Sequence, residues 1–420
     1  MARISLYLIL LALVALPGEQ FNVVAGAANV SEAALILGLG SLFVFSRRRS
    51  VFKGPSTVLT GYIRWLVIAF LLFAIVEHSV LLISPVMDAY APGFIQQAIL
   101  RTTGIAAICW GAFVNLEPED VDRVAAAVLV GALLAASTII LDASGVLQIE
   151  ASRRADTRIG GLSPFGVSAT GIMSTKGSIA LLTISGVMGA IHLAQRKKLP
   201  RLFVVSLLAF LLFGALASGS RTLVAGFLML ILLFLAGRAF MRPGFGATAA
   251  LAGWAATAAT FFTGLGEALW SDLIIRGGQE TRLQLVDAAW RTIQDHPIFG
   301  VGPYYQPFAA RLGEQIFWNG SHTIWLQMPL YSGVMGWVLA LVLLAGPVAA
   351  LVHMRRTGTS KFFVSIGVIL VLSTFYQPLQ SGFVVWGLLF GVLVLLSRYD
   401  PNHAVPRRSA YSHIGPGGKT

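Results

Sequence analysis

Cysteine is nearly absent: Cys109 stands alone in 420 residues. An intramolecular disulfide and a cysteine-built metal site are therefore excluded. Charge is scarce too. Asp, Glu, Lys and Arg make up 11% of the chain, where soluble domains carry about 25%. That excludes an ordinary water-soluble enzyme. There is no Walker loop, no dinucleotide fingerprint and no H-E-x-x-H. The D-x-D pair Asp120-Val121-Asp122 lies in the run EPEDVDR and reads as a solvated acidic turn. No internal repeat is visible, which counts against a transporter built from inverted halves. No cofactor and no resident metal are expected.

What the chain has is apolar length. Hydrophobic residues make up 56% of it. Runs of about 18 or more recur, the length a helix needs to cross a bilayer. Such helices satisfy their own backbone in lipid, so the expected fold is all-α and polytopic. About twelve spans are expected, near residues 4–17, 25–45, 62–84, 95–115, 124–142, 173–193, 202–218, 222–240, 246–264, 323–351, 362–378 and 380–397. Arg3 before a short apolar run also fits a signal peptide. The following ALPGEQF is a poor small-residue cleavage site, so the first run is read as a helix. Cys109 falls in the fourth span and is read as buried.

Basic residues set the orientation. Arg47, Arg48, Arg49 and Lys53 fall on one side with Arg196, Lys197, Lys198 and Arg201. Arg238, Arg242, Arg355, Arg356, Lys361, Arg398, Arg407 and Arg408 join them. With twelve spans this side is cytoplasmic and holds both termini. The net charge of +12 is then topological. It points to an anionic leaflet and to membrane lipids as partners, not to nucleic acid. The tail from Arg398 is polar and rich in Pro and Gly, a disordered composition.

Two long external connections remain, near 143–172 and 265–322. Long ordered loops are usually functional. Both carry arginines against the charge rule: Arg153, Arg154 and Arg158 in the first, Arg276, Arg282, Arg291 and Arg311 in the second. An anionic ligand on that side is the simplest reason.

Within the second loop, Thr281-Arg282-Leu283-Gln284 fits a T-x-x-Q capping box. Leu283, Val286, Trp290 and Ile293 form one apolar stripe of a short amphipathic helix, with Arg282 and Arg291 off it. Pro297 ends that helix, and Gly300-Val301-Gly302-Pro303 makes a turn. The helix start beside an arginine suits an anion. A helix lying on the membrane with arginines at headgroups fits equally well.

Two further positions carry two readings each. His322, just before the tenth span and near Trp325, is either an interfacial histidine or a base that titrates near working pH. Arg221 in ASGSRTLVAGF either snorkels or faces the same anion as Arg282. Glu77 and Arg101 lie inside the third and fourth spans at similar depth, and a structural ion pair is expected. His78 and His296 carry less weight, the latter because Pro297 already explains the helix stop.

Three segments together suggest a family. SGSRTLVAGF, TRLQLVDAAWRTIQDHPIFGVGPY and SHTIWLQMPLYSGVMGWV resemble the signature region of the O-antigen ligase and polymerase superfamily, most clearly over 202–345. His322-Thr323 departs from the His-Asn often found there. The resemblance implies about twelve helices with a large late external loop. It implies glycosyl transfer from an undecaprenyl-diphosphate-linked glycan at the outer, periplasmic face of a bacterial inner membrane. By similarity Arg221 and Arg282 would hold the diphosphate and His322 would activate the acceptor hydroxyl. Arg158, Arg276 and Arg291 would be further substrate contacts. The acceptor would be lipid A–core for a ligase, or a second lipid-linked glycan for an O-antigen or exopolysaccharide polymerase. A transporter or flippase of an anionic amphiphile is the alternative from another class, though it would want charges near the midplane. The expected organisation is 1–201 with the first external loop, 202–351 with the active-site loop 265–322, spans 352–397 and a tail 398–420.

Overall fold

The computed structural model describes residues 2–18, 22–24, 28–45, 58–83, 99, 102–111, 113–114, 116–149, 154–155, 163–173, 176–219, 280–302, 309–312, 315–318, 324–357 and 383–398. The expected spans at 222–240, 246–264 and 362–378, Arg101 and the tail beyond Arg398 lie outside them. The described residues are mostly helical. The helices are α1 (Ala2–Ala15), α2 (Val30–Phe45), α3 (Val58–Ile83), α4 (Thr102–Gly111), α5 (Pro118–Ala143), α6 (Lys176–Gln195) and α7 (Arg201–Ala217). They continue as α8 (Glu280–Asp295), α9 (Ile324–Thr357) and α10 (Phe383–Arg398). Two of the described helical stretches, Pro118–Ala143 and Ser178–Gln195, are long and apolar enough to cross a bilayer.

Small β-ribbons modify the all-α expectation. β1 (Asn22–Val24) pairs with β2 (Ala28–Asn29), β3 (Arg154–Ala155) with β4 (Val167–Ser168), and β5 (Ala309–Leu312) with β6 (Gln315–Trp318), all antiparallel. The last pair is legible in hindsight. AARL and QIFW flank the dipeptide Gly313-Glu314, a two-residue hairpin signal. Each ribbon is short because it lies in a connection, where few residues share one face.

α5 organises one packed group, touching α1, α6, α7 and α10. Its start follows local rules: Glu117 is the extended N-cap, Pro118 opens the helix, and Glu119 and Asp120 sit in the first turn. Between helices in lipid, close backbone approach replaces hydrophobic exclusion as the source of affinity. Small residues make that approach here. A Cβ on Gly131 would strike the Leu13 carbonyl of α1, and Gly186 and Gly189 of α6 lie against Ala132 and Ala125 of α5. Gly387 and Gly391 of α10 lie against Gly104 and Ala107 of α4 in the same way. Ser31 Oγ on α2 donates to the Ala12 carbonyl at 2.8 Å, a buried polar tie to α1.

The acidic run EPEDVDR is not a solvated turn. It begins α5, and Asp122 is buried. His192 Nε2 in the last turn of α6 donates to Asp122 Oδ1 at 3.1 Å, and Arg196 Nε lies 3.4 Å from the same oxygen. Asp120 behaves as expected of the run, pairing with Arg123 on an exposed face. The two aspartates differ because they are two residues apart on a helix, so one faces α6 and the other faces out.

Candidate functional site

The described part of the connection between α5 and α6 folds back on α5 and α7. Asp142, in the last turn of α5, accepts from the Ile149 amide at 3.1 Å. The stretch 163–173 then returns to the same end of the bundle. Gly171, with φ +60°, has no room for a Cβ beside Thr138 and Ile139. Phe165 and Phe213 meet edge to face with centroids 5.8 Å apart. The Ala169 amide donates to the Ala217 carbonyl at 3.4 Å. This contact joins the segment after Arg158 to the residues just before Arg221. Arg158 and Arg221 themselves lie outside the described residues, as do Arg276 and His322.

α8 is the amphipathic helix expected in the second connection. It is described from Glu280 onward, and Thr281 lies within it. It ends at Asp295, two residues before Pro297. Its buried line runs through Ala289 and Ile293. Seven and eleven residues separate these from Arg282, so at 100° per residue position 282 shares their register. Arg291 is on the opposite side. Its guanidinium is largely exposed and pairs with Asp287 at 2.9 Å, one turn earlier. The two arginines part because nine residues amount to two and a half turns.

α9 is not one continuous span. Ser332 (φ −137°, ψ 20°) and Gly333 (φ 52°, ψ −124°) leave helical geometry and split the helix. In an unbroken helix the Leu330 carbonyl would accept from the Val334 amide. Here the turn after α8 takes both ends of that bond. The Val301 amide donates to the Leu330 carbonyl at 2.8 Å, and the Val334 amide donates to the Ile298 carbonyl at 3.1 Å. The Gly302 amide donates to the Tyr331 carbonyl at 3.2 Å. The turn is thus spliced into the backbone of the broken helix, and these freed groups stay satisfied away from water.

Glycine makes the splice possible. Gly300 and Gly302 have φ of 68° and 77°, in the left-handed region. A Cβ on Gly300 would collide with the backbone of 330–332, and one on Gly333 with the backbone of Ile298. Around the break, Ser332 Oγ donates to the Phe73 carbonyl of α3 at 3.1 Å. Gln327 Nε2 donates to Tyr331 Oη at 2.6 Å, both buried. Glu77, one turn beyond Phe73 on α3, is fully buried. Trp290 of α8 and Trp337 of α9 meet edge to face with centroids 6.3 Å apart.

Sequence reasoning missed Ser332, Gly333, Gln327 and Tyr331. The signal was there: Pro329 and Ser332-Gly333 fall inside an apolar run, and proline or a Gly/Ser pair is the usual cause of a sharp kink. Hydropathy alone runs unbroken across these residues and does not mark the break. Among the described residues no group of three or more His, Cys, Asp or Glu is placed to hold a metal ion.

Residues 206–341 match the family model described as O-antigen ligase. The matched stretch starts in α7, takes in α8, the splice and the β5–β6 hairpin, and ends in α9 after the break. No curated protein matches the chain.

Proposed function

Since this chain carries the O-antigen ligase domain and belongs to that superfamily, we propose that it moves a glycan from undecaprenyl diphosphate onto a hydroxyl of lipid A–core at the periplasmic face of the inner membrane. Superfamily membership makes it a membrane-embedded glycosyltransferase of the ligase or polymerase type. The observation that carries the finer proposal is the extent of the match: Arg221, Arg276, Arg282, Arg291 and His322 all fall within 206–341. Arg158 does not, and enters only through the Ala169–Ala217 contact that ties its loop to the end of α7.

The chemistry follows from these side chains. The acceptor oxygen attacks the anomeric carbon of the donor sugar. The bond from that carbon to the diphosphate oxygen breaks, and the lipid diphosphate leaves with the electron pair. Charge grows on the leaving group, and planar guanidinium forks on Arg221 and Arg282 stabilise it by bidentate contact. His322 takes the acceptor proton. Arg282 shares the register of the buried line of α8, which favours it over Arg291 as the principal contact on that helix. Arg276 and Arg158 would hold the outer phosphate or the first sugar. No step calls for a divalent cation.

Purified protein, a lipid-linked glycan donor and lipid A–core, with and without EDTA, test this. Glycan on lipid A–core in both conditions is the expected product. Lengthening of the glycan on its lipid carrier instead would make the protein a polymerase. Activity lost in EDTA and restored by magnesium or manganese would overturn the arginine role. Absence of either transfer from a competent donor would overturn the proposal.

A further inference from the structure

The splice between the turn after α8 and the break in α9 joins two elements that the proposed chemistry needs in register. α8 carries Arg282, and α9 begins at Ile324, two residues after His322. We infer that residues 298–302, with Ser332 and Gly333, are a positioning device that holds α8, the helix carrying Arg282, at a fixed offset from α9; this rests on the proposed roles of Arg282 and His322.

Three observations support the inference. First, the turn bonds to both halves of the broken helix: Val301 and Gly302 to carbonyls before the break, Ile298 to an amide after it. A surface loop that only covered α9 would need neither. Second, the contact is backbone to backbone and admits no side chain at Gly300 or Gly333. It is therefore rigid, and the Trp290–Trp337 contact braces the same two helices a turn away. Third, the break is anchored to a third helix through Ser332 Oγ and the Phe73 carbonyl, both buried. Breaking a helix costs hydrogen bonds and cooperativity. The splice recovers the bonds only if α8 sits in one place, so the offset of α8 is built into the backbone of α9. Ile298 and Phe299 are exposed at the side-chain level, so the turn acts through its main chain.

Ser332→Ala keeps the fold's shape and removes one anchor. Gly333→Ala forces the turn away. Both are compared with Phe299→Ala, which changes only an exposed side chain. Three quantities are measured on the full-length protein in nanodiscs: transfer rate, donor affinity, and the distance between spin labels at Gln294 and Leu341 in a Cys109→Ala background. Misplacement of about 1 Å can cost roughly 10²-fold in rate. The expected result is a turnover loss of about that size for Gly333→Ala and a smaller one for Ser332→Ala. Donor affinity should stay near wild type, and the label distance should broaden in the same order. Phe299→Ala should match wild type in all three. A broadened distance with normal turnover would overturn the positioning role and leave the proposed reaction standing. So would a lost turnover with an unchanged, narrow distance. If Gly333→Ala fails to fold, Ser332→Ala decides by the same criteria. If Arg282→Ala transfers normally in this assay, the proposed reaction itself fails.

Discussion

His192 and Asp122, 70 residues apart in the chain, meet at 3.1 Å across the α5–α6 contact. Asp122 lies near the start of α5 and His192 in the last turn of α6. Arg196 Nε approaches the same carboxylate oxygen at 3.4 Å. The cluster joins two helices that pack closely through Gly186 and Gly189.

Asp122→Ala should therefore destabilise the protein. Losing one partner of a buried hydrogen bond costs about 1–3 kcal/mol. Asp120→Ala removes only an exposed pair with Arg123, worth about 0–1 kcal/mol. Thermal unfolding in detergent checks both. Equal midpoints for the two variants would refute the structural role of Asp122. Transfer per folded molecule should be unchanged in either.

The arginines of the second connection should separate. Lysine keeps the charge and loses the planar fork. Arg282→Lys and Arg221→Lys should lose most transfer at normal membrane levels. Arg291→Lys should lose much less, because a lysine there can still pair with Asp287, its present partner one turn away. Arg311→Lys, on β5, should be nearly silent. Assays of the four variants at matched expression decide this. Full activity in Arg282→Lys would move that residue to a headgroup contact.

His322→Ala should lose about 10²–10⁴-fold in turnover, the range for general-base catalysis. Donor binding should survive, since the arginines hold the diphosphate. His296→Ala should cost far less, its side chain being exposed at the end of α8. Rate and donor affinity are measured on the same preparations. Parallel loss of both in His322→Ala would make the histidine a clamp, not a base.

Orientation can be read directly. Reporter fusions after residues 198 and 310 should report opposite compartments, cytoplasm for the first and periplasm for the second. The reason is the basic run Arg196-Lys197-Lys198 against the long connection near 265–322. The same compartment at both sites would remove the topological basis of the proposed site.

Much of the fold was legible in the chain. Hydropathy alone marks the cores of α5, α6 and α7, because a helix in lipid must be apolar along its whole length. Pro297 and the glycines after it mark the end of α8 and the turn, because both restrict the backbone locally. The three segments that resemble the O-antigen ligase superfamily fall within the family match over 206–341.

The rest was decided by tertiary contacts. Apolar stripes cannot say which line of α8 meets a neighbour; in the folded chain Ala289 and Ile293 are the buried ones. Composition made Asp122 a solvated residue. It is buried because a histidine and an arginine 70 and more residues away sit opposite it. The break in α9 has the same origin. Local sequence weakens the helix at Pro329 and Ser332-Gly333, but only amides and a carbonyl from a distant turn can satisfy the opened backbone, and their arrival is a property of the folded chain.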